Sequence, residues 1–176
     1  MKTLHVFDDR DYDETHPHFC RAAVRAVIFS GGRLAMVKSC KEGFYKFPGG
    51  GIEPGESRLD TLTRETREET GLCIRPGTAQ ELGLVRELRK GLCGAEVFDQ
   101  TSYYYTAEAE QARAPQALDA YEAELDYRLA FVTPRAAYEA NTRLASRPEF
   151  SFLRREAYVL SLLCEKEEGA LCEPRA

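Results

Sequence analysis

The sequence predicts an α/β (α+β) fold, with helices on both faces of a mixed β-sheet. Three observations carry this. Apolar, β-branched runs are set between glycine turns, and they read as strands. Two segments repeat apolar residues at helical spacing, and two helix starts are marked by N-caps. Strands and helices also mix without a strict βαβ alternation, which excludes an all-parallel sheet.

Taken in order, "AAVRAVIFS" from Ala22 is a strand, Gly31-Gly32 a turn and "RLAMVKS" its hairpin partner. "FYKF" (44–47) is a short aromatic strand ended by Pro48 and three glycines, Gly49 to Gly51. Ser57 is the N-cap of a helix over Arg58 to Thr70, with Asp60 closing a capping box and Gly71 as the stop. Strands follow over 81–89 and 97–109, with Gly91 and Gly94 between them. Residues 110–126 are polar and read as a loop containing at most a helical turn. "YRLAFVT" (127–133) is a strand, Thr133-Pro134 starts a helix over 134–141, and 152–168 is the last helix. Residues 1–20 read as an N-terminal extension packed on the domain, 21–168 as the domain and 169–176 as a flexible tail.

Composition narrows the function classes. Of 176 residues, 43% are hydrophobic and 30% charged, as expected for a globular chain with a real core. The net charge of −5 argues against a dedicated nucleic-acid surface, which would carry a basic stripe. No apolar run approaches the roughly 20 residues of a membrane span. The first residues turn acidic before a signal-peptide core forms, so the expected location is cytoplasmic. Cysteines 20, 40, 73, 93, 164 and 172 include no C-x-x-C pair and read as reduced thiols. His16-Pro17-His18 reads as a solvent-exposed polar segment.

"RETREETGL" (64–72) raises the chemical question. Glu65, Glu68 and Glu69 lie at i, i+3 and i+4, a spacing at which like charges repel by a few tenths of a kcal/mol per pair. At about 100° per residue, Leu59, Leu62 and Thr66 form the core stripe, and the three glutamates fan out beside it. Arg64 and Arg67 lie on the far side, with Arg64 and Glu68 at ion-pair spacing. On its own this is a charged, solvated face. The preceding glycines change that reading, because bare backbone at a helix N-terminus suits an anion. Glu53 and Glu56 add carboxylates on the intervening turn. Hard oxygen ligands beside such a loop suit Mg²⁺ or Mn²⁺.

"GGIEPGESRLDTLTRETREETGL", Gly50 to Leu72, resembles the box of the Nudix hydrolases. Gly50, Glu56, Arg64, Glu65, Glu68, Glu69, Gly71 and Leu72 fall in its register. A chance match of its seven fixed positions is expected in fewer than about one chain in a million. Thr66 departs from the pattern's aliphatic residue, and its methyl group still suits the core stripe.

The resemblance implies a Nudix-like α/β/α sandwich. It also implies hydrolysis of a phosphoanhydride bond in a nucleoside diphosphate linked to another moiety, with Mg²⁺ or Mn²⁺. It makes Glu68 and Glu69 the main metal ligands, and Glu65 a metal ligand, a base toward the attacking water, or both. Arg64 then orients the glutamates, and Glu56 supports the metal shell. Gly49, Gly50 and Lys46 fall to substrate binding, with Tyr45 the alternative to Lys46 on that short strand. Glu122, Glu124 and Asp126 are candidates for a further acidic residue, and "SYYYT" (102–106) for a base-stacking ring.

The implied partner is a nucleotide-type small molecule, and homodimerisation stays open. A non-catalytic nucleotide-sensing or partner-binding module is the alternative, and it would be favoured by loss of box glutamates. Isopentenyl diphosphate isomerase shares the fold, but Cys73 and Cys93 lack its motif context.

Overall fold

The computed structural model describes residues 1–91 and 95–171. Its elements are β1 (Thr3–Asp8), β2 (His18–Ser30), β3 (Arg33–Ser39), β4 (Tyr45–Lys46), α1 (Arg58–Thr70), β5 (Leu72–Ile74) and β6 (Gln80–Lys90). They continue with β7 (Val97–Ala107), β8 (Ala109–Arg113), α2 (Ala120–Glu124), β9 (Tyr127–Val132), α3 (Pro134–Leu144), a 3₁₀ turn (Pro148–Phe150) and α4 (Leu153–Leu171). Of the expected tail, 169–171 continue α4 and 172–176 lie outside the described residues, as do Cys93, Gly94 and Cys172. Cys20, Cys40, Cys73 and Cys164 are thiols. No helix among the described residues is long and apolar enough to cross a membrane.

The chain forms two compact units, Met1–Ile28 with Pro48–Gln116, and Phe29–Phe47 with Ala117–Ala176. In the first, strands run in the order β1-β6-β7-β2. β1 is parallel to β6, β6 antiparallel to β7, and β7 parallel to β2. This is the mixed sheet the sequence predicts. Its core includes Val24, Val27, Ile28, Val85, Val97 and Tyr104, each at most 1% exposed. Two expectations change here. The N-terminal segment contributes an edge strand, and β2 begins at His18, four residues before Ala22.

α1 shows why its sequence forms a helix. The Ser57 side chain accepts from the Asp60 N–H, and Asp60 accepts from the Ser57 N–H. Gly71 ends the helix at φ 72°, its N–H donating to the Arg67 carbonyl at 2.8 Å. A Cβ at Gly71 would also stand 2.3 Å from the Ala114 carbonyl oxygen. Leu62 is 1% exposed, a burial that stabilises the helix's docking by roughly 2 kcal/mol. Leu59, expected on the core stripe, is 49% exposed. The buried set is Thr61, Leu62, Thr66, Glu69 and Thr70, so the true stripe is rotated toward Glu69. β5, a segment to which the sequence assigns no element, and β8, most of which reads as loop, pair antiparallel.

In the second unit β3 is central. It pairs antiparallel with β9, with β4 and with the last two residues of β2. Val37, Phe44, Leu125, Tyr127, Phe150 and Leu153 form the core there. The outer edge of β4 is closed by side chains. Asn141, fully buried on α3, accepts from the Tyr45 N–H at 2.8 Å and donates to the Tyr45 carbonyl at 2.7 Å. Glu156 on α4 accepts from the Phe47 N–H at 2.9 Å. Thr133 caps α3 and Pro134 takes its first position, as predicted.

Candidate active site

The glycine segment before α1 lies alongside β2. Ala26 N–H donates to the Pro48 carbonyl at 2.8 Å, Val24 N–H to that of Gly50 at 3.0 Å, and Ile52 N–H to that of Ala22 at 3.0 Å. Gly49 adopts φ 138°, and a Cβ there would stand 2.1 Å from the Val24 carbonyl oxygen. That position needs glycine twice over, for its dihedral and for its space. The Gly49 N–H donates to Glu69 Oε2 at 2.8 Å, and the buried Arg25 guanidinium donates to the Gly49 carbonyl.

Gly50 has a different reason to lack a side chain. The space its Cβ would fill holds the Glu65 carboxylate, with the carboxyl carbon and Oε2 both 2.3 Å from that point. The loop is therefore a cradle for a carboxylate.

Arg64 stands among the other glutamates. Its Nε donates to Glu56 Oε1 at 2.7 Å and its Nη2 to Glu56 Oε2 at 2.9 Å, a bidentate pair. Its Nη1 donates to Glu65 Oε1 at 2.9 Å and to Glu68 Oε2 at 3.0 Å. Glu53 lies 4.0 Å from Nη2. Thr61, buried on α1, donates its hydroxyl to Glu56 Oε2 at 2.8 Å. These contacts set the local electrostatics. Arg64, then Thr61, holds the Glu56 carboxyl down at about 2, well below the usual carboxylate range. The same glutamates push the Arg64 guanidinium up, Glu56 foremost, against the opposing effect of its partial burial.

The three helix glutamates are not equivalent. Glu69 is 1% exposed and sits in the middle of the buried arc of α1. The side chains of Glu65 and Glu68 are 15% and 39% exposed. Among the described residues, no three His, Cys, Asp or Glu groups converge closely enough to hold an ion in this arrangement. The donor set nevertheless fits a hard divalent cation. Four carboxylates, Glu53, Glu56, Glu65 and Glu68, share one guanidinium, so three negative charges remain in excess. One of the four is already seated in a backbone cradle, and oxygen is the ligand such ions require.

The remaining candidates have other surroundings. Lys46 belongs to the second unit, its ammonium 5.2 Å from the centre of the Tyr127 ring. In that unit Glu122 closes the capping box of α2, Glu124 pairs with Lys41 at 3.1 Å and Asp126 with Arg128 at 2.9 Å. Tyr104 and Tyr105 are buried. The Tyr103 ring is covered by the Arg58 guanidinium at 3.6 Å.

His18 is exposed, as expected of its segment. It lies on β2 with Nδ1 3.2 Å from Asp99 Oδ2. Arg86 pairs bidentately with Asp99, and this holds that carboxyl below its usual range. Sequence reasoning missed Arg25, Thr61 and Gln116, which donates to the Glu69 carbonyl. No local motif marks Arg25 and Gln116, whose partners lie 24 and 47 residues away, whereas the Thr61 partner is only five residues off.

Comparison with known proteins gives three findings. The family model described as "NUDIX domain" matches residues 20–154. A putative 8-oxo-dGTP diphosphatase, YtkD, of Bacillus subtilis (strain 168) is 26% identical over 164 residues, 93% of this chain and 89% of the relative. Two solved structures are similar in fold, each with a TM-score of 0.53. The mutator MutT protein from Bacillus halodurans is 19% identical, with 68% of this chain and 72% of that one covered. A NUDIX hydrolase from Nitrosomonas europaea is 18% identical, with 79% and 88% covered.

Proposed function

The chain belongs to the Nudix family and is a hydrolase acting on phosphoanhydrides, and from that premise we propose that it is a metal-dependent pyrophosphohydrolase of nucleoside triphosphates. One observation carries the reading. A glycine cradle seats the Glu65 carboxylate beside a single arginine that Glu56, Glu65 and Glu68 share. The description of the Bacillus subtilis relative as a putative 8-oxo-dGTP diphosphatase supports a triphosphate as the substrate class.

Glu65, Glu68 and Glu69 would hold Mg²⁺ or Mn²⁺, which when bound offsets phosphate charge, activates water and aligns the displacement. Glu69 is anchored from below by the Gly49 amide. Arg64 fixes the rotamers of Glu56, Glu65 and Glu68, and this removes the freedom three adjacent carboxylates would otherwise have. Glu65 is the base candidate, because it is the carboxylate wedged against the loop and least able to swing away. Gly49 has its N–H and carbonyl engaged within the protein, so its part is to hold carboxylates in place.

A panel of 8-oxo-dGTP, dGTP, ADP-ribose, a dinucleoside polyphosphate and capped RNA, each with Mg²⁺ and Mn²⁺, tests the reading through released phosphate or pyrophosphate. The triphosphates should be cut fastest. Glu68→Gln should fold normally and lose nearly all metal-dependent turnover. Unchanged hydrolysis by that variant refutes the site.

A further inference from the structure

Three consecutive glycines are the most mobile backbone a chain can have, because each gives up more conformational freedom on folding than any other residue. Here they must nevertheless support two carboxylates, Glu65 at Gly50 and Glu69 at Gly49. Something must restrain them. The backbone bonds to β2 fix the carbonyls of Pro48 and Gly50, at 2.8 and 3.0 Å. The carbonyl between them, that of Gly49, has no strand partner and points to Arg25.

Arg25 is an unusual residue for its place. It lies in the middle of β2, in a run of buried alanine, valine and isoleucine, and is itself 6% exposed. Burying a guanidinium costs several kcal/mol unless its donors are matched. Its Nη1 reaches the Gly49 carbonyl and, at 3.4 Å, that of Val24. A hydrophobic residue would pack in such a strand without that cost. The arginine therefore serves the loop as well as the strand that carries it. Gly49 is thus gripped at both ends, its N–H by Glu69 and its carbonyl by Arg25.

We infer that Arg25 is a positioning residue of this site: by holding the Gly49 carbonyl it sets the Gly49–Gly50 backbone, and through it the seats of the Glu65 and Glu69 carboxylates. The inference rests on the hydrolase reading above for its catalytic consequence. Its structural consequence stands without that reading.

Arg25→Met removes the donors and keeps an apolar chain of similar length. Arg25→Lys keeps the charge but supplies a single shorter ammonium in place of the fork. In metal-free protein, hydrogen exchange at the Gly49 amide should quicken at least about tenfold in both variants, while amides of β6 and β7 stay protected. Mn²⁺ affinity, titrated without substrate, should weaken by about tenfold or more in Arg25→Met, and less in Arg25→Lys. With 8-oxo-dGTP or the best panel substrate, kcat should fall while KM stays within about threefold.

A role confined to stability would lower the melting temperature and leave the exchange pattern, Mn²⁺ affinity and kcat of the folded fraction unchanged. That outcome overturns the inference. Should Arg25→Met not fold, Arg25→Lys decides by the same measurements. If the wild type neither binds Mn²⁺ nor hydrolyses any substrate, the hydrolase reading fails, and Gly49 exchange alone still supports or overturns the role of Arg25.

Discussion

Replacing each loop glycine by alanine in turn separates three physical demands that the sequence writes with one letter. Gly50→Ala is the informative member. Its backbone lies outside the left-handed region, so alanine adds no dihedral strain. The new Cβ, however, would stand 2.3 Å from the Glu65 carboxyl carbon, against the 3.4 Å at which ordinary contact begins. Glu65 must therefore retreat by about 1.1 Å. A retreat of that size along the bond from Arg64 would stretch it from 2.9 Å to roughly 4 Å, beyond hydrogen-bond range.

A displacement of that size at a reacting group costs on the order of 10²-fold in rate, or about 2.7 kcal/mol in the barrier. Stability changes less. One charge-assisted bond between partly solvated groups is lost, and the unfolded chain gives back about 0.4–1 kcal/mol. Gly51→Ala is the control, because its Cβ would meet only the Arg21 guanidinium, at an ordinary 3.5 and 3.7 Å. Gly49→Ala should destabilise the fold by roughly 2–6 kcal/mol, combining its φ of 138° with a 2.1 Å approach to the Val24 carbonyl oxygen. Steady-state phosphate release and thermal melts on the three variants decide the matter. The reasoning is refuted if Gly50→Ala keeps its rate within about threefold, or if Gly51→Ala loses as much.

Two further outcomes follow from the same geometry. The Glu56 carboxyl is held at about 2 in the folded protein, below its ordinary 4.5, so the stability it contributes is fully present above 4.5. The melting-temperature gap between wild type and Glu56→Gln should therefore be constant from neutral pH to about 4.5, shrink as pH falls, and close near 2; a gap independent of pH would contradict the Arg64–Glu56 pairing. Asn141→Ala strips partners from both the N–H and the carbonyl of Tyr45, and denaturant melts should show a loss of about 2–5 kcal/mol. A loss under about 1 kcal/mol would mean that β4 does not depend on that amide.

What was legible in the sequence was whatever depends on near neighbours. The bounds of α1 follow from Ser57, Asp60 and Gly71, residues that make their bonds within one turn of the helix ends. The Gly31-Gly32 hairpin and the Thr133-Pro134 helix start are local in the same way. β1, β5 and β8 were not legible, because they are short or polar and owe their existence to partners such as β6. In the site, the register of the glutamates could be read directly. The rotation of α1 could not. Periodicity treats glutamate as a surface residue and so assigns the core stripe to Leu59, Leu62 and Thr66. The helix instead turns Glu69 inward, because a backbone donor waits there from Gly49, twenty residues earlier in the chain.

That inward turn bears on why a helix keeps three carboxylates at repelling distances. One of the three leaves the surface altogether, and its carboxylate accepts a hydrogen bond from the Gly49 N–H. The other two join Glu56 around Arg64, whose planar fork carries five donors and here uses Nε, Nη1 and Nη2 at once. A lysine at this position would offer one point charge and could not reach both oxygens of Glu56 while bonding two more carboxylates. The arrangement is therefore stable as it stands, yet it is not neutral. Glu53, Glu56, Glu65 and Glu68 outnumber the one guanidinium, and the excess negative charge is concentrated beside a glycine loop. A polyanionic substrate would be repelled from that surface. In the proposed reading, divalent cations between it and the glutamates remove that repulsion, which reconciles a net charge of −5 with a phosphate substrate.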